Sequence, residues 1–277
     1  MRLRPAPRLA GLSPRRRALI ALIALVVVAL AVVGGVGLSR SGSAAAPGDP
    51  SASRPGDVLL VPGYGGSTTA LAQLAARIRA TGRTATVVPL AGDGTGDLHV
   101  QARVLNGYVN QALRDGSGPV TVIGYSAGGV VAWLWDVEDD GAGRVGRIIT
   151  LGSPLHGADL AALGAAFVPG ECPAACQQLV PGSALLSALQ SATSAGRPPW
   201  LSLWTTDDQV VQPPDSARLA GAVNVPLQSV CPGVNIQHGG LPSSPLVVGI
   251  VLRSLGSTKL TAPGPAQCQA LQSLGGG

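Results

Sequence analysis

From Asp57 to Leu227 the chain alternates short apolar runs with stretches of helical periodicity, and no other feature narrows its possible folds as much. The run that follows Asp57, Val-Leu-Leu-Val, is unbroken and ends at Pro62-Gly63, which fits a strand buried on both faces better than a helix. Further strands are expected at residues 84–89, 120–123, 147–151, 200–205 and 223–227. Helices are expected at residues 69–80, 97–114 with Asp97 as N-cap, 126–137 and, as the last element, 244–255. Alternation at this spacing predicts an α/β chain with a mostly parallel, doubly wound sheet, whose functional loops lie at the carboxyl ends of the strands. One segment breaks the rhythm. Residues 154–199 separate two strands without a strand pattern of their own, and a structureless loop of that length is uncommon, so they are expected to form an inserted cap over the catalytic edge.

Charge divides the chain in two. Residues 1–54 hold eight Arg against Asp49, while residues 55–277 carry a net charge of −2 and a single Lys, Lys259. A body of that balance has no basic groove to neutralise phosphates, which excludes a nucleic-acid binder. Six of those Arg precede an uncharged stretch from Ala18 to Ser39, 22 residues dense in Ala, Leu, Ile and Val. As a helix it would be about 33 Å long, enough to cross a bilayer, and the Arg excess before it orients the rest of the chain outward. A signal peptide and a membrane anchor share this signature. The stretch is longer than a signal core, and a cut after Ala44-Ala45-Ala46 would leave Pro47 beside it, which favours an uncleaved anchor. The run Arg16-Arg17-Ala18-Leu19-Ile20 also resembles a twin-arginine export motif. The expected organisation is a signal or anchor over residues 1–40, a Ser/Ala/Pro/Gly-rich stalk over 41–56, and a catalytic domain over 57–277.

Four Cys lie in the part oriented outward, where thiols oxidise, and an even count allows three pairings. Cys172 with Cys176 and Cys231 with Cys268 is the pairing expected. No metal site is expected, because Cys172-x-x-x-Cys176 has no nearby His and His99, His156 and His238 are scattered singly.

Gly124-Tyr125-Ser126-Ala127-Gly128-Gly129 sits between an apolar strand and an expected helix, the context in which a G-x-S-x-G match is informative. A nucleophilic Ser needs a sharp turn that lifts its hydroxyl clear of the backbone, and the flanking Gly residues permit it. The same turn leaves the Ala127 amide at a helix N-terminus, free to donate to an oxyanion. An acid and then a His must follow the Ser in chain order. His238, after the last expected strand, is the only His beyond His156. Asp207 and Asp208 compete for the acid role; Asp208 is chosen because Val210 and Val211 can anchor the loop behind it, leaving Asp207 as a turn carboxylate. Asp215, after Pro213-Pro214, reads as a helix N-cap, and His156 as a packing or hydrogen-bonding residue at the start of the insertion. The backbone amide of Tyr64, in Pro62-Gly63-Tyr64-Gly65-Gly66, is the second expected oxyanion donor, and its ring is expected to line the acyl site. This loop lacks the spacings of the phosphate-binding Gly motifs.

Val-Pro-Gly-Tyr-Gly-Gly from Val61, Gly-Tyr-Ser-Ala-Gly-Gly from Gly124, Thr-Leu-Gly-Ser-Pro-Leu-His-Gly from Thr150, the Asp208 loop and His238 together resemble the secreted bacterial lipases and esterases of the α/β-hydrolase superfamily. The resemblance runs from residue 57 to about residue 256. It implies a Ser126-Asp208-His238 triad, no cofactor, and hydrolysis of carboxylic esters, often acylglycerols. The chain departs from the pattern at Pro62, where many such proteins carry a His that braces the loop. Acyl transfer to an alcohol would use the same triad, and an anchored binding protein with a relict site is the alternative from another class. The insertion has small apolar stretches at 158–168 and 183–189 and no Arg or Lys between Arg147 and Arg197. As a cap it would build an uncharged acyl pocket, so the expected substrate is a neutral lipid or small acyl ester, turned over by a monomer that meets the membrane only through an uncleaved N-terminal segment.

Overall fold

The computed structural model describes residues 56–116, 118–167, 172–193 and 195–276. The expected anchor and nearly all of the stalk lie outside them, and no helix among the described residues is long and apolar enough to cross a membrane.

Six parallel strands form one sheet in the order β2-β1-β3-β4-β5-β6, with β1 Val58–Val61, β2 Ala85–Val87, β3 Val120–Tyr125, β4 Val145–Leu151, β5 Trp200–Trp204 and β6 Val223–Pro226. The helices are α1 Thr69–Arg79, α2 Leu98–Arg114, α3 Ala127–Glu138, α4 Asp159–Phe167, α5 Ala174–Gln178, α6 Ala184–Ser191, α7 Leu227–Val230, α8 Pro245–Gly256 and α9 Cys268–Gly276. The continuous apolar strands follow from burial on both faces. Leu59 and Val61 belong to the core shared with α2 and α3, whereas Val58 and Leu60, pointing the other way, pack in the core shared with α1 and α8. Helix α1 supplies Leu71, Leu74, Ala75 and Ile78, one face at helical spacing, to the second core. Asp97 caps α2 as expected, its carboxylate accepting from the His99 amide.

Two sequence expectations are corrected. Leu255 does not close the helical series, because α9 follows and packs on α8. The crossing is so close that a Cβ on Gly249 would collide with the Leu271 carbonyl, and one on Gly275 with the Pro245 carbonyl. Asp215 is not an N-cap. Pro213 occupies the cap of a single 3-10 turn, Pro214–Ala217, and Asp215 lies inside it.

Register places the site. Strand order reverses at β1, so the connections after β1 and β3 leave the carboxyl edge toward opposite sides of the sheet, the place where open α/β sheets bind ligands. Val61 pairs with Gly124, Tyr125 with Leu151, and Leu151 with Leu203, which aligns the ends of β1, β3, β4 and β5 in one row. The segment between β4 and β5 holds α4, α5 and α6.

Candidate active site

Ser126 sits in that row at the junction of β3 and α3, with φ 53° and ψ −127°. Non-glycine residues seldom adopt such a conformation, which costs on the order of 1–3 kcal/mol and persists where surrounding structure enforces it. The enforcement is visible. The Ser126 amide donates to the Leu151 carbonyl at 2.9 Å, and its carbonyl accepts from the Gly129 amide at 3.0 Å. Gly128 lies so close to β1 that a Cβ there would collide with the Val61 carbonyl oxygen.

The three residues expected to act together do meet. His238 Nε2 lies 3.0 Å from Ser126 Oγ, and His238 Nδ1 lies 2.7 Å from Asp208 Oδ2. His238 is 5% and Asp208 1% exposed, so water has little access to the hydrogen bond between them. The other Asp208 oxygen accepts from the amides of Val210 (2.9 Å) and Val211 (2.8 Å), which leaves a single oxygen directed at the imidazole. Asp207 points elsewhere: it is exposed and accepts from Gln228 Nε2 at 3.2 Å.

The loop after β1 stands against Ser126, closed by a bond from the Gly66 amide to the Gly63 carbonyl at 3.1 Å. A Cβ at Gly63 would be 2.9 Å from that of Ser126. The amides of Tyr64 and Ala127 have no hydrogen-bond acceptor among the described residues. Burial, with the charge of Asp93 adding, raises the pKa of the Tyr64 phenol.

A cavity of about 200 Å³ opens at Ser126, walled by Tyr64, Pro154, Ala158, Leu160, Ala161, Cys176, Leu179, Val210 and Val211. None of these carries a formal charge. The first apolar stretch of the insertion contributes to this wall, but the second does not. Leu185, Ala188 and Leu189 line a separate cleft with Leu134 and His99, a correction to the expectation that both stretches face Ser126. His99 Nδ1 lies 2.7 Å from Glu138 Oε1, and His156 Nδ1 lies 3.0 Å from the Ser216 carbonyl, so neither joins the Ser126 cluster. Cys172 is bonded to Cys176 and Cys231 to Cys268.

Two supporting residues escaped the sequence reading. Tyr125 packs on His238 with ring centroids 5.2 Å apart. Gln228 ties the end of β5 to α7, donating to Thr205 Oγ1 (2.9 Å) and accepting from the Thr206 amide (3.0 Å). The position of Tyr125 beside Ser126 could have flagged it, whereas nothing local marks Gln228.

No protein-family model matches the chain, and no curated protein sequence matches it. Solved structures do resemble it. Lipase B of Aspergillus fumigatus superposes with a TM-score of 0.64 at 19% identity, covering 80% of this chain and 56% of the fungal one. The mature Bacillus licheniformis lipase BlEst2 gives 0.61 at 17% identity, covering 75% of this chain and 94% of its own. The chain has the α/β-hydrolase fold. A metagenome-derived lipolytic enzyme agrees, with a TM-score of 0.56 at 16% identity over 73% of this chain and 94% of that one. The chain thus spans little more than half of the fungal lipase but nearly all of the other two chains. In it, Ser126 occupies the sharp strand-to-helix turn, and His238 and Asp208 follow in the chain order that this fold uses.

Proposed function

We propose that the protein is a serine hydrolase that cleaves neutral carboxylic esters. The observation that carries this reading is the unbroken chain of contacts from Ser126 Oγ through His238 to Asp208 Oδ2, at 3.0 and 2.7 Å, on a strained turn that opens into an uncharged cavity. His238 takes the Ser126 proton as the oxygen attacks the acyl carbon. Asp208 holds the imidazole in the required tautomer and balances the charge it acquires. The amides of Tyr64 and Ala127 stabilise the oxyanion, and the positive end of α3 adds to them. His238 then protonates the leaving alcohol, and a water activated by the same imidazole releases the acyl group.

The uncharged lining supports neutral acyl esters over anionic head groups, because charge-assisted bonds to an anion have no donor there. Residues 154–199 act as the cap that supplies much of that lining. Labelling by a fluorophosphonate probe tests the reading: wild type should label and Ser126→Ala should not. Turnover of p-nitrophenyl esters should show the same dependence on Ser126. Labelling or turnover that survives Ser126→Ala would reject it.

The two disulfides suit an oxidising compartment, and with the N-terminal Arg-rich apolar stretch they support a catalytic body outside the cytoplasmic membrane. External protease should digest the body on intact cells; protection until lysis would reject this placement.

A further inference from the structure

We propose that α5, held by the Cys172–Cys176 bond, is a partition that limits acyl-chain length by closing the Ser126 cavity off from a larger apolar cleft. The inference rests on the esterase reading above and adds to it a substrate range and the element that sets it.

Helix α5 presents different residues on its two sides. Cys176 and the C-cap residue Leu179, three residues apart, wall the cavity of about 200 Å³ that contains Ser126. Ala174, Gln177 and Gln178, at helical spacing on the other side, line a cleft of about 580 Å³. Leu134 and Val137 of α3 and Leu185 and Leu189 of α6 make that cleft largely apolar, with the His99–Glu138 pair also on its lining. The smaller space falls below the size that encloses a drug-like ligand, about 300 Å³ or more, so it suits a short acyl group. The two together would hold a much longer one.

A helix of five residues is far too short to hold its shape alone. Its shape comes from its attachments. The Ala175 amide donates to the Thr95 carbonyl at 3.1 Å, and the Leu179 carbonyl accepts from the Ala158 amide at 3.1 Å. Gln178 grips the start of α2 with both ends of its amide, donating to Asp97 Oδ1 at 2.7 Å and accepting from the Leu98 amide at 2.8 Å. Gln177 Nε2 donates to the Cys172 carbonyl at 2.8 Å, beside the disulfide. A bond between cysteines four positions apart constrains the unfolded chain far less than one spanning 37 positions, so its main effect is local. That effect is to fix the helix that carries Cys176 and is capped by Leu179.

The test measures kcat/KM for p-nitrophenyl esters from acetyl to palmitoyl with the full-length chain. Wild type should favour acetyl to butyryl. Cys172→Ala breaks the bond but leaves Cys176 in the wall; it should raise the octanoyl-to-acetyl ratio by about tenfold and change acetyl turnover little. Gln178→Ala should shift the profile the same way, and Leu179→Trp the opposite way. An unchanged profile in Cys172→Ala and Gln178→Ala, or a parallel loss at every chain length, would overturn the partition. Should Cys172→Ala fail to fold, the other two variants decide, and an unchanged profile in both overturns it. Absence of Ser126-dependent turnover in wild type is a separate result that removes the esterase reading, and the partition with it.

Discussion

The Tyr125 hydroxyl donates to the backbone carbonyl of His238 across 3.2 Å, so the residue next to Ser126 in sequence holds the main chain of the histidine that faces Ser126 in space. Burial, with the negative charge of Asp208 adding, pushes the Tyr125 phenol up to about 12, which keeps it a donor throughout the working range. Tyr125→Phe removes that one bond and keeps the ring. A neutral hydrogen bond contributes about 1 kcal/mol, so kcat/KM for p-nitrophenyl acetate should fall by about twofold to tenfold. An undiminished kcat/KM would show that ring packing alone positions the His238 loop.

The three polar groups at the site should behave as a unit. Ser126→Ala and His238→Ala should each lower kcat by about 10⁶, and Asp208→Ala by about 10⁴. Asp207→Ala should be mild, since that carboxylate is exposed and engages Gln228 rather than His238. A severe loss in Asp207→Ala with a mild one in Asp208→Ala would reverse the assignment.

What the sequence disclosed and what it hid have a common physical basis. The strands were legible because burial on both faces leaves uninterrupted apolar runs, and α2 because Asp97 is a side-chain cap whose partner lies two residues away. Ser126, Asp208 and His238 were legible because their order along the chain follows from the order of the strands. Features that depend on a distant partner were hidden. Gly249 and Gly275 have a purpose only once α8 and α9 cross, so nothing local in the sequence marks α9. The stretch 183–189 has the apolar character of a pocket wall, but its own periodicity cannot say which side of α5 it faces. The apolar Val210 and Val211 point to Asp208 in the sequence, whereas it is their backbone amides that hold its carboxylate.

Redox state supplies another check. The purified, unreduced protein should show no free thiol after denaturation, and peptide mapping should recover Cys172 with Cys176 and Cys231 with Cys268. The second bond fastens α9 to the segment after α7 across 37 positions. Replacing Cys231 and Cys268 together by Ser should lower unfolding free energy by about 3–4 kcal/mol, and Cys172→Ala by about 2 kcal/mol. Urea unfolding of the three proteins gives the ranking. A peptide joining Cys176 to Cys231, or a larger loss in Cys172→Ala, would contradict it.

Asp136, on α3 away from Ser126, should make stability depend on pH. It is 8% exposed, with Oδ2 3.4 Å from Nε of Arg197, whose guanidinium lies over Trp133 and Trp200. Burial raises its pKa to about 6; Arg197 pulls the other way, and Asp140 adds to the rise. An acid whose folded pKa is raised binds its proton more tightly in the native state. Its contribution is therefore full below about pH 4, where both states are protonated, and is lost as pH rises to about 6. The shift corresponds to up to about 3 kcal/mol. Urea unfolding of wild type and Asp136→Asn across this range cancels the other titrating groups. Wild-type stability minus that of the variant should fall between about pH 4 and about pH 6 and then level off. A difference that rises with pH would mean that the ion pair with Arg197 outweighs burial, and that Asp136 is held ionised in the folded protein.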